Sequence, residues 1–115
     1  MAHSIKKVDE GKYDIILTRG DSLFLDVSMT AGGEPYTPEA GSYVRFAMKE
    51  KYGDDVVVTL EKEIPINTML LEIKPVDTKT LPMNKKYVFD IQFTDPVGNI
   101  DTFIEGTFKI GNEVD

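Results

Sequence analysis

The chain has 115 residues, 41% hydrophobic and 29% charged, the composition and length of one folded domain able to bury a core. With no cysteine and a single histidine, His3, a disulfide framework, a thiolate metal site, a cysteine nucleophile and a zinc site of several imidazoles are excluded. Thirteen basic against twenty acidic residues leave a net charge of −7, which repels nucleic-acid phosphates rather than gathering them.

Residues 1–12 are polar and contain no apolar run of the signal-peptide kind, so they are expected to form a flexible N-terminal segment. No apolar run in the chain exceeds three residues, far short of a helical membrane span. From residue 13 onward the apolar residues alternate with period two, the mark of half-buried strands. The series are Tyr13, Ile15, Leu17; Leu23, Leu25, Val27, Met29; Val44, Phe46, Met48; and Val56, Val58, Leu60. Met69, Leu71, Ile73, then Tyr87, Phe89, Ile91, Phe93, and finally Ile100, Ile104, Phe108, Ile110 complete them. All six prolines fall between or at the ends of these runs, where a missing N–H breaks no ladder. This predicts an all-β domain over 13–111, an immunoglobulin-like β-sandwich of about seven antiparallel strands, with a C-terminal tail at 112–115. The first strand, 13–19, fits either sheet.

Two connections are specific enough to predict in detail. The segment 75–81 reads as one helical turn, with the Asp77 carboxylate as its cap and Leu81 plugging the end of the sandwich. Tyr87 follows as either the corner tyrosine of immunoglobulin-like folds, bonded to upstream backbone, or a core tyrosine. Asp95-Pro96-Val97-Gly98 suits a type I turn. Taken as a four-residue loop it pairs Thr94 with Asn99, Phe93 with Ile100, Ile91 with Thr102, Phe89 with Ile104 and Tyr87 with Gly106.

Few residues suggest chemistry. Arg19-Gly20-Asp21 matches an integrin-binding triplet, but Gly20 between two strand patterns is better read as the pivot of a bend, with Arg19 and Asp21 as its flanks. Asp54, Asp55, Asp95 and Asp101 sit in turns without the spacing of a calcium loop, and the acids within strands alternate with core residues, so they lie on solvated faces. Phosphate-binding loops, serine elbows and zinc-protease helices are absent, and Gly32-Gly33 reads as a loop. No catalytic residue, metal ligand or cofactor is therefore assigned. Apolar residues out of phase with their strands, Phe24, Tyr43, Val57, Leu70, Val88 and Phe103, are either scattered surface residues or an assembly surface. Tyr43, Val88 and Phe103 are the expected partner contact.

Three landmarks in order carry a family resemblance. The run Ile15-Ile16-Leu17-Thr18-Arg19-Gly20-Asp21-Ser22-Leu23-Phe24-Leu25 resembles the opening of small β-sandwich structural proteins of prophages and tailed phages, including the N-terminal domain of baseplate upper proteins. Ile73-Lys74-Pro75-Val76-Asp77-Thr78, then Leu81 and Tyr87-Val88-Phe89-Asp90-Ile91, is similar to the second landmark of that family. Gly98-Asn99, Thr102, Gly106-Thr107-Phe108-Lys109-Ile110 and Glu113-Val114 are similar to its last hairpin. The resemblance implies a non-enzymatic virion component of tail or baseplate that docks to other phage structural subunits or to copies of itself, present in the host cytoplasm before assembly. It implies no nucleic-acid or membrane partner and supplies no catalytic residue. Baseplate upper proteins have a further region that binds receptor-binding proteins. Nothing in this chain matches that region, so no receptor-linked role is carried over. The alternative from another class is a carbohydrate- or cell-surface-binding sandwich, against which the lack of tryptophan counts.

Overall fold

The computed structural model describes residues 3–9 and 11–111; the tail expected at 112–115, with the last residues of the third landmark, lies outside the described residues. In chain order the elements are β1 (His3–Asp9), β2 (Lys12–Thr18), β3 (Leu23–Asp26), β4 (Met29–Ala31), β5 (Glu34–Tyr36) and β6 (Tyr43–Lys49). They continue with β7 (Val58–Ile64), β8 (Leu70–Ile73), the helical turn α1 (Pro75–Thr78), β9 (Lys86–Thr94) and β10 (Ile100–Gly111). One layer is a six-stranded sheet in the order β1-β2-β10-β9-β6-β7, and the other consists of the β3-β8 pair and the β4-β5 hairpin. The fold is all-β and sandwich-like.

The period-two pattern produces the core. Ile15, Leu17, Val44, Phe46, Met48, Tyr87, Phe89, Ile91, Phe108 and Ile110 project from the large sheet, and Leu23, Val27, Leu71 and Ile73 meet them from the facing layer. At its centre Phe46, Phe89 and Phe108 lie with ring centroids 5.5, 6.0 and 6.3 Å apart, two of the three pairs edge-on, the arrangement favoured by aromatic quadrupoles. Leu81 packs on this core from the end of the sandwich, as expected.

The segment expected to be loose contributes a strand instead. Backbone pairing of β1 with β2 runs from His3 opposite Leu17 to Asp9 opposite Lys12, with a register shift between Lys7 and Asp9. A short polar strand at a sheet edge needs no apolar alternation of its own, so hydropathy does not reveal it. The uniformly antiparallel expectation is also corrected. β2 lies parallel to β10 over seven pairs, from Lys12 opposite Glu105 to Thr18 opposite Gly111. The first run of the sandwich thus joins the last strand, and the bend at Gly20 carries the chain across to the other layer.

The predicted β9–β10 register is wrong, for a local reason. Asp95 and Asn99 close a three-residue loop, with the Asp95 N–H donating to the Asn99 carbonyl at 2.9 Å and the Gly98 N–H to the Asp95 carbonyl at 3.0 Å. The Asp95 carboxylate accepts from the Val97 and Asn99 N–H groups and from the Asn99 amide. Gly98, at φ +96°, supplies the left-handed residue that such loops require. Pairing therefore begins with Ile100 opposite Thr94 and Thr102 opposite Gln92, one residue from the expected register. A bulge at Phe103 then adds a residue, so Ile104 faces Ile91, Gly106 faces Phe89 and Phe108 faces Tyr87. The bulge restores the core phase that the loop had shifted.

Two apolar series are cut short. The run expected from Leu23 to Met29 breaks after Asp26, and Met29 opens a separate hairpin whose two turn residues, Gly32 and Gly33, have φ of +60° and +84°. That is the primed-turn geometry glycine permits. Val56 precedes β7, and Val58 is exposed rather than inward because the register shifts between Met48 and Lys49.

Asp77 caps α1 from inside the turn: its Oδ2 accepts from the Lys74 N–H at 2.8 Å. The same carboxylate meets Lys62 Nζ of β7 at 3.1 Å. Because that side chain is only 14% exposed, Asp77→Ala is expected to cost about 1–2 kcal/mol. Thermal unfolding followed by circular dichroism should show the drop, with Asp77→Asn falling between the variant and the parent.

Candidate functional site

The expected contact residues do not come together. On the outer face of the large sheet, cross-strand rows run Asp14–Thr107–Val88–Lys49, then Glu105–Asp90–Ala47–Glu61, then Thr102–Gln92–Arg45–Glu63, then Ile100–Thr94–Tyr43. Val88 and Tyr43 are six residues apart along the strands, about 20 Å. Val88 is half-buried, whereas Tyr43 is exposed beside exposed Ile100. Phe103 leaves this face: it packs partly buried against the core, on the inner side of the sheet. The signal missed in the sequence is the bulge, which turns a residue expected to face outward toward the interior.

Between those positions the outer face is a hydrogen-bonded polar ladder. Arg45 donates to Gln92 at 2.7 Å and pairs with Glu61 at 3.3 Å, and Gln92 donates to Thr102 at 3.2 Å. Thr107 donates to Asp14 at 2.7 Å across the parallel pair. Tyr52, from the β6–β7 connection, folds over this face with its hydroxyl 3.3 and 3.2 Å from the carbonyls of Phe89 and Gly106. Burial first, then the Glu105 charge, pushes that hydroxyl above its ordinary value, which keeps it a donor. A small cavity of about 200 Å3 remains beneath it, lined by Arg45, Lys49, Val88 and Asp90.

Asp90 Oδ1 is buried there without a hydrogen-bond partner among the described residues. Burial raises the Asp90 pKa above its usual 3.8, against the opposing pull of Arg45 and Lys49, with Glu105 adding to the rise. A folded-state pKa above the unfolded value means that the folded chain holds the proton more tightly. This contribution therefore favours folding at low pH and is lost as pH rises through the raised value. Asp90→Asn is accordingly expected to unfold at a higher temperature than the parent at pH 7, with the gap closing as pH falls through the raised value toward 3.8. Unfolding midpoints across pH check this.

A larger concave feature lies on the other side of the large sheet. Six strands face a layer of two plus a short hairpin, so the inner face near β1, β2 and β10 is not fully covered. The result is an open cleft of about 430 Å3 between β3 and β10. Ile15, Tyr13, Leu25, Phe89, Ile91 and Phe103 form its apolar floor and walls, and Asp26 and Asp101 stand at its rim. A second depression shares Met29, Thr30 and Asp101 with it and extends past Tyr36 and Phe93. The β4–β5 hairpin is held there by the edge-on contact of Tyr36 with Phe93, 5.8 Å between centroids. No Lys or Arg lines either depression among the described residues.

The structural residues are placed as follows. Gly20, at φ +95°, turns the chain, the Asp21 N–H donates to the Thr18 carbonyl at 3.1 Å, and the Arg19 N–H donates to the Gly111 carbonyl at 3.2 Å. Arg19 and Asp21 are half-buried flanks of this turn, not an extended exposed tip. Tyr87 is 2% exposed, with Lys85 Nζ 5.6 Å from its ring centre. Among the described residues its hydroxyl makes no bond to upstream backbone, so it stands as a core tyrosine. No group of three or more His, Asp or Glu among the described residues is close enough together to hold a metal ion. Among the described residues no helix is long and apolar enough to cross a membrane. What the cleft can do is bury apolar groups beside two carboxylates. Neither a family model nor a curated protein matches this chain.

Proposed function

We propose that the chain is a non-enzymatic structural or adaptor subunit of a tailed phage or prophage particle, in its tail or baseplate, that works by docking to neighbouring subunits. The order and spacing of the three sequence landmarks carry this reading. They coincide with the framework: the first covers most of β2, the Gly20 bend and β3, the second α1 and most of β9, the third β10. An immunoglobulin-like arrangement belongs to the same proposal and is supported by two all-β layers packed over a core of alternating inward residues. The site adds support of its own, because an apolar cleft with two rim carboxylates suits burial of a partner's side chains better than bond-breaking chemistry.

The test is mass spectrometry of particles purified on a density gradient after induction of the source strain. Recovery of the chain at tens of copies per particle is the expected result, and the copy number reports the symmetry of its ring or layer. Abundance in the lysate with absence from intact particles would overturn a virion role. Binding on a glycan array would then favour the carbohydrate-binding alternative.

A further inference from the structure

We propose that the cleft accepts a strand: a short extended segment of a partner protein, with apolar residues at every second position and Lys or Arg between them, adds to the open edge of β3. The inference deepens the docking reading and rests on it for the source of the partner.

The main-chain argument comes first. β3 is hydrogen-bonded to β8 alone, with Leu23 opposite Ile73 and Leu25 opposite Leu71, and the Val27 N–H continues the ladder to the Met69 carbonyl at 2.9 Å. Successive residues of a strand point their N–H and C=O groups to opposite edges. Leu23, Leu25 and Val27 thus bond toward β8, and the main-chain groups of Phe24 and Asp26 face the open side. No bond to those groups occurs among the described residues. Unpaired strand-edge groups are satisfied best by another strand, as in β-strand addition.

Both edges of the large sheet and the β5 edge are guarded and this one is not. The outer edge of β7 carries Glu61, Lys62 and Glu63, β1 has a register shift, and β5 contains Pro35. Charges, bulges and proline are the usual means of blocking edge pairing. β3 reads Leu-Phe-Leu-Asp, without lysine, proline or bulge, and Phe24 is 53% exposed.

Space and charge define the occupant. With strands about 4.8 Å apart, sheets about 10 Å apart and a rise of about 3.3 Å, one strand residue fills roughly 160 Å3. The cleft of about 430 Å3 therefore takes about three residues, close to the length of β3. Side chains of an added strand alternate between the two faces. One set would enter the apolar floor of Ile15, Leu25, Ile91 and Phe103, and the other would face the rim. The rim offers Asp26 and Asp101 with no basic side chain among the described lining residues, so the complementary partner is basic.

The experiment titrates the full 15N-labelled chain with the peptide acetyl-Lys-Val-Lys-Val-Lys-Val-Lys-amide and with its counterpart carrying Glu for every Lys. The Lys peptide is expected to shift the amide signals of Phe24, Asp26 and the cleft residues, and to bind at least about tenfold more tightly than the Glu peptide. Phe24→Pro removes one open-edge N–H, leaves the bonds to β8 in place, and should weaken binding by about tenfold or more. Because proline can perturb the strand, the double variant Asp26→Lys with Asp101→Lys gives a second readout: it should reverse the preference toward the Glu peptide. Equal binding of both peptides, shifts confined to another face, or no shift at millimolar peptide would overturn the inference. So would pairing of β3 with a second copy of the chain that the Lys peptide fails to displace. Particle mass spectrometry and peptide titration can fail independently, which separates the virion role from the strand-acceptor role.

Discussion

Gly106→Ala is expected to be the most damaging single substitution in the chain. Gly106 lies in β10 between two partners, Phe89 of antiparallel β9 and Tyr13 of parallel β2. A Cβ at this position would overlap the Tyr13 carbonyl oxygen and lie 2.8 and 2.9 Å from the carbonyl carbon and amide nitrogen of the same residue. These are backbone atoms, so no rotamer change makes room. The strands must part, and the seven-pair parallel ladder that closes the large sheet over its first strand goes with them. The expected loss is about 3 kcal/mol or more, a fall in Tm of at least about 10 °C by differential scanning calorimetry, or failure to fold. Gly98→Ala is the comparison. Its backbone is also left-handed, but nothing lies within 4 Å of the added carbon, so it should cost only about 1 kcal/mol.

The second large effect is expected at Phe46. Its side chain is fully buried and touches both Phe89 and Phe108, linking β6, β9 and β10 through one aromatic cluster. Phe46→Ala removes a ring from the core that Leu71 and Ile73 complete from the facing layer, and leaves a cavity the flanking strands cannot close. A loss of about 3–5 kcal/mol follows, and Phe46→Leu should recover roughly half of it. Chemical denaturation gives both values, and an unchanged slope against denaturant would show that the two variants unfold from the same kind of native state. A cost for Phe46→Ala below about 1 kcal/mol would mean that the aromatic cluster does not centre the core.

The two effects arise at different levels. Phe46 was legible as a core residue from alternation alone, since Val44, Phe46 and Met48 repeat with the period of a strand. The constraint at Gly106 was not, because it comes from a parallel neighbour more than ninety residues earlier in the chain. The candidate site divides in the same way. The Gly20 bend, the cap at Asp77 and the core place of Tyr87 involve neighbours close in sequence or a simple inward phase, and each was readable as one of the alternatives posed. The expected patch of Tyr43, Val88 and Phe103 depended on a register that Asp95 and Asn99 set by closing a three-residue loop, and on a bulge at Phe103 that no composition signals. The cleft depended on neither residue type nor spacing, only on how unequal the two layers are.

The sequence by itself determined the all-β class, the inward residues of β2, β6, β8 and β9, a helical turn within 75–81 and the poverty of catalytic side chains. These follow from local physics: side-chain period, backbone freedom at glycine, and the chemistry of the residues present. Only the tertiary structure decided that β1 is a strand, that β2 runs parallel to β10, that Phe103 turns inward and that β3 keeps an open edge beside an acidic-rimmed cleft. Each of these depends on which distant segment lies alongside, and strand pairing is made by backbone hydrogen bonds that are nearly blind to side-chain identity.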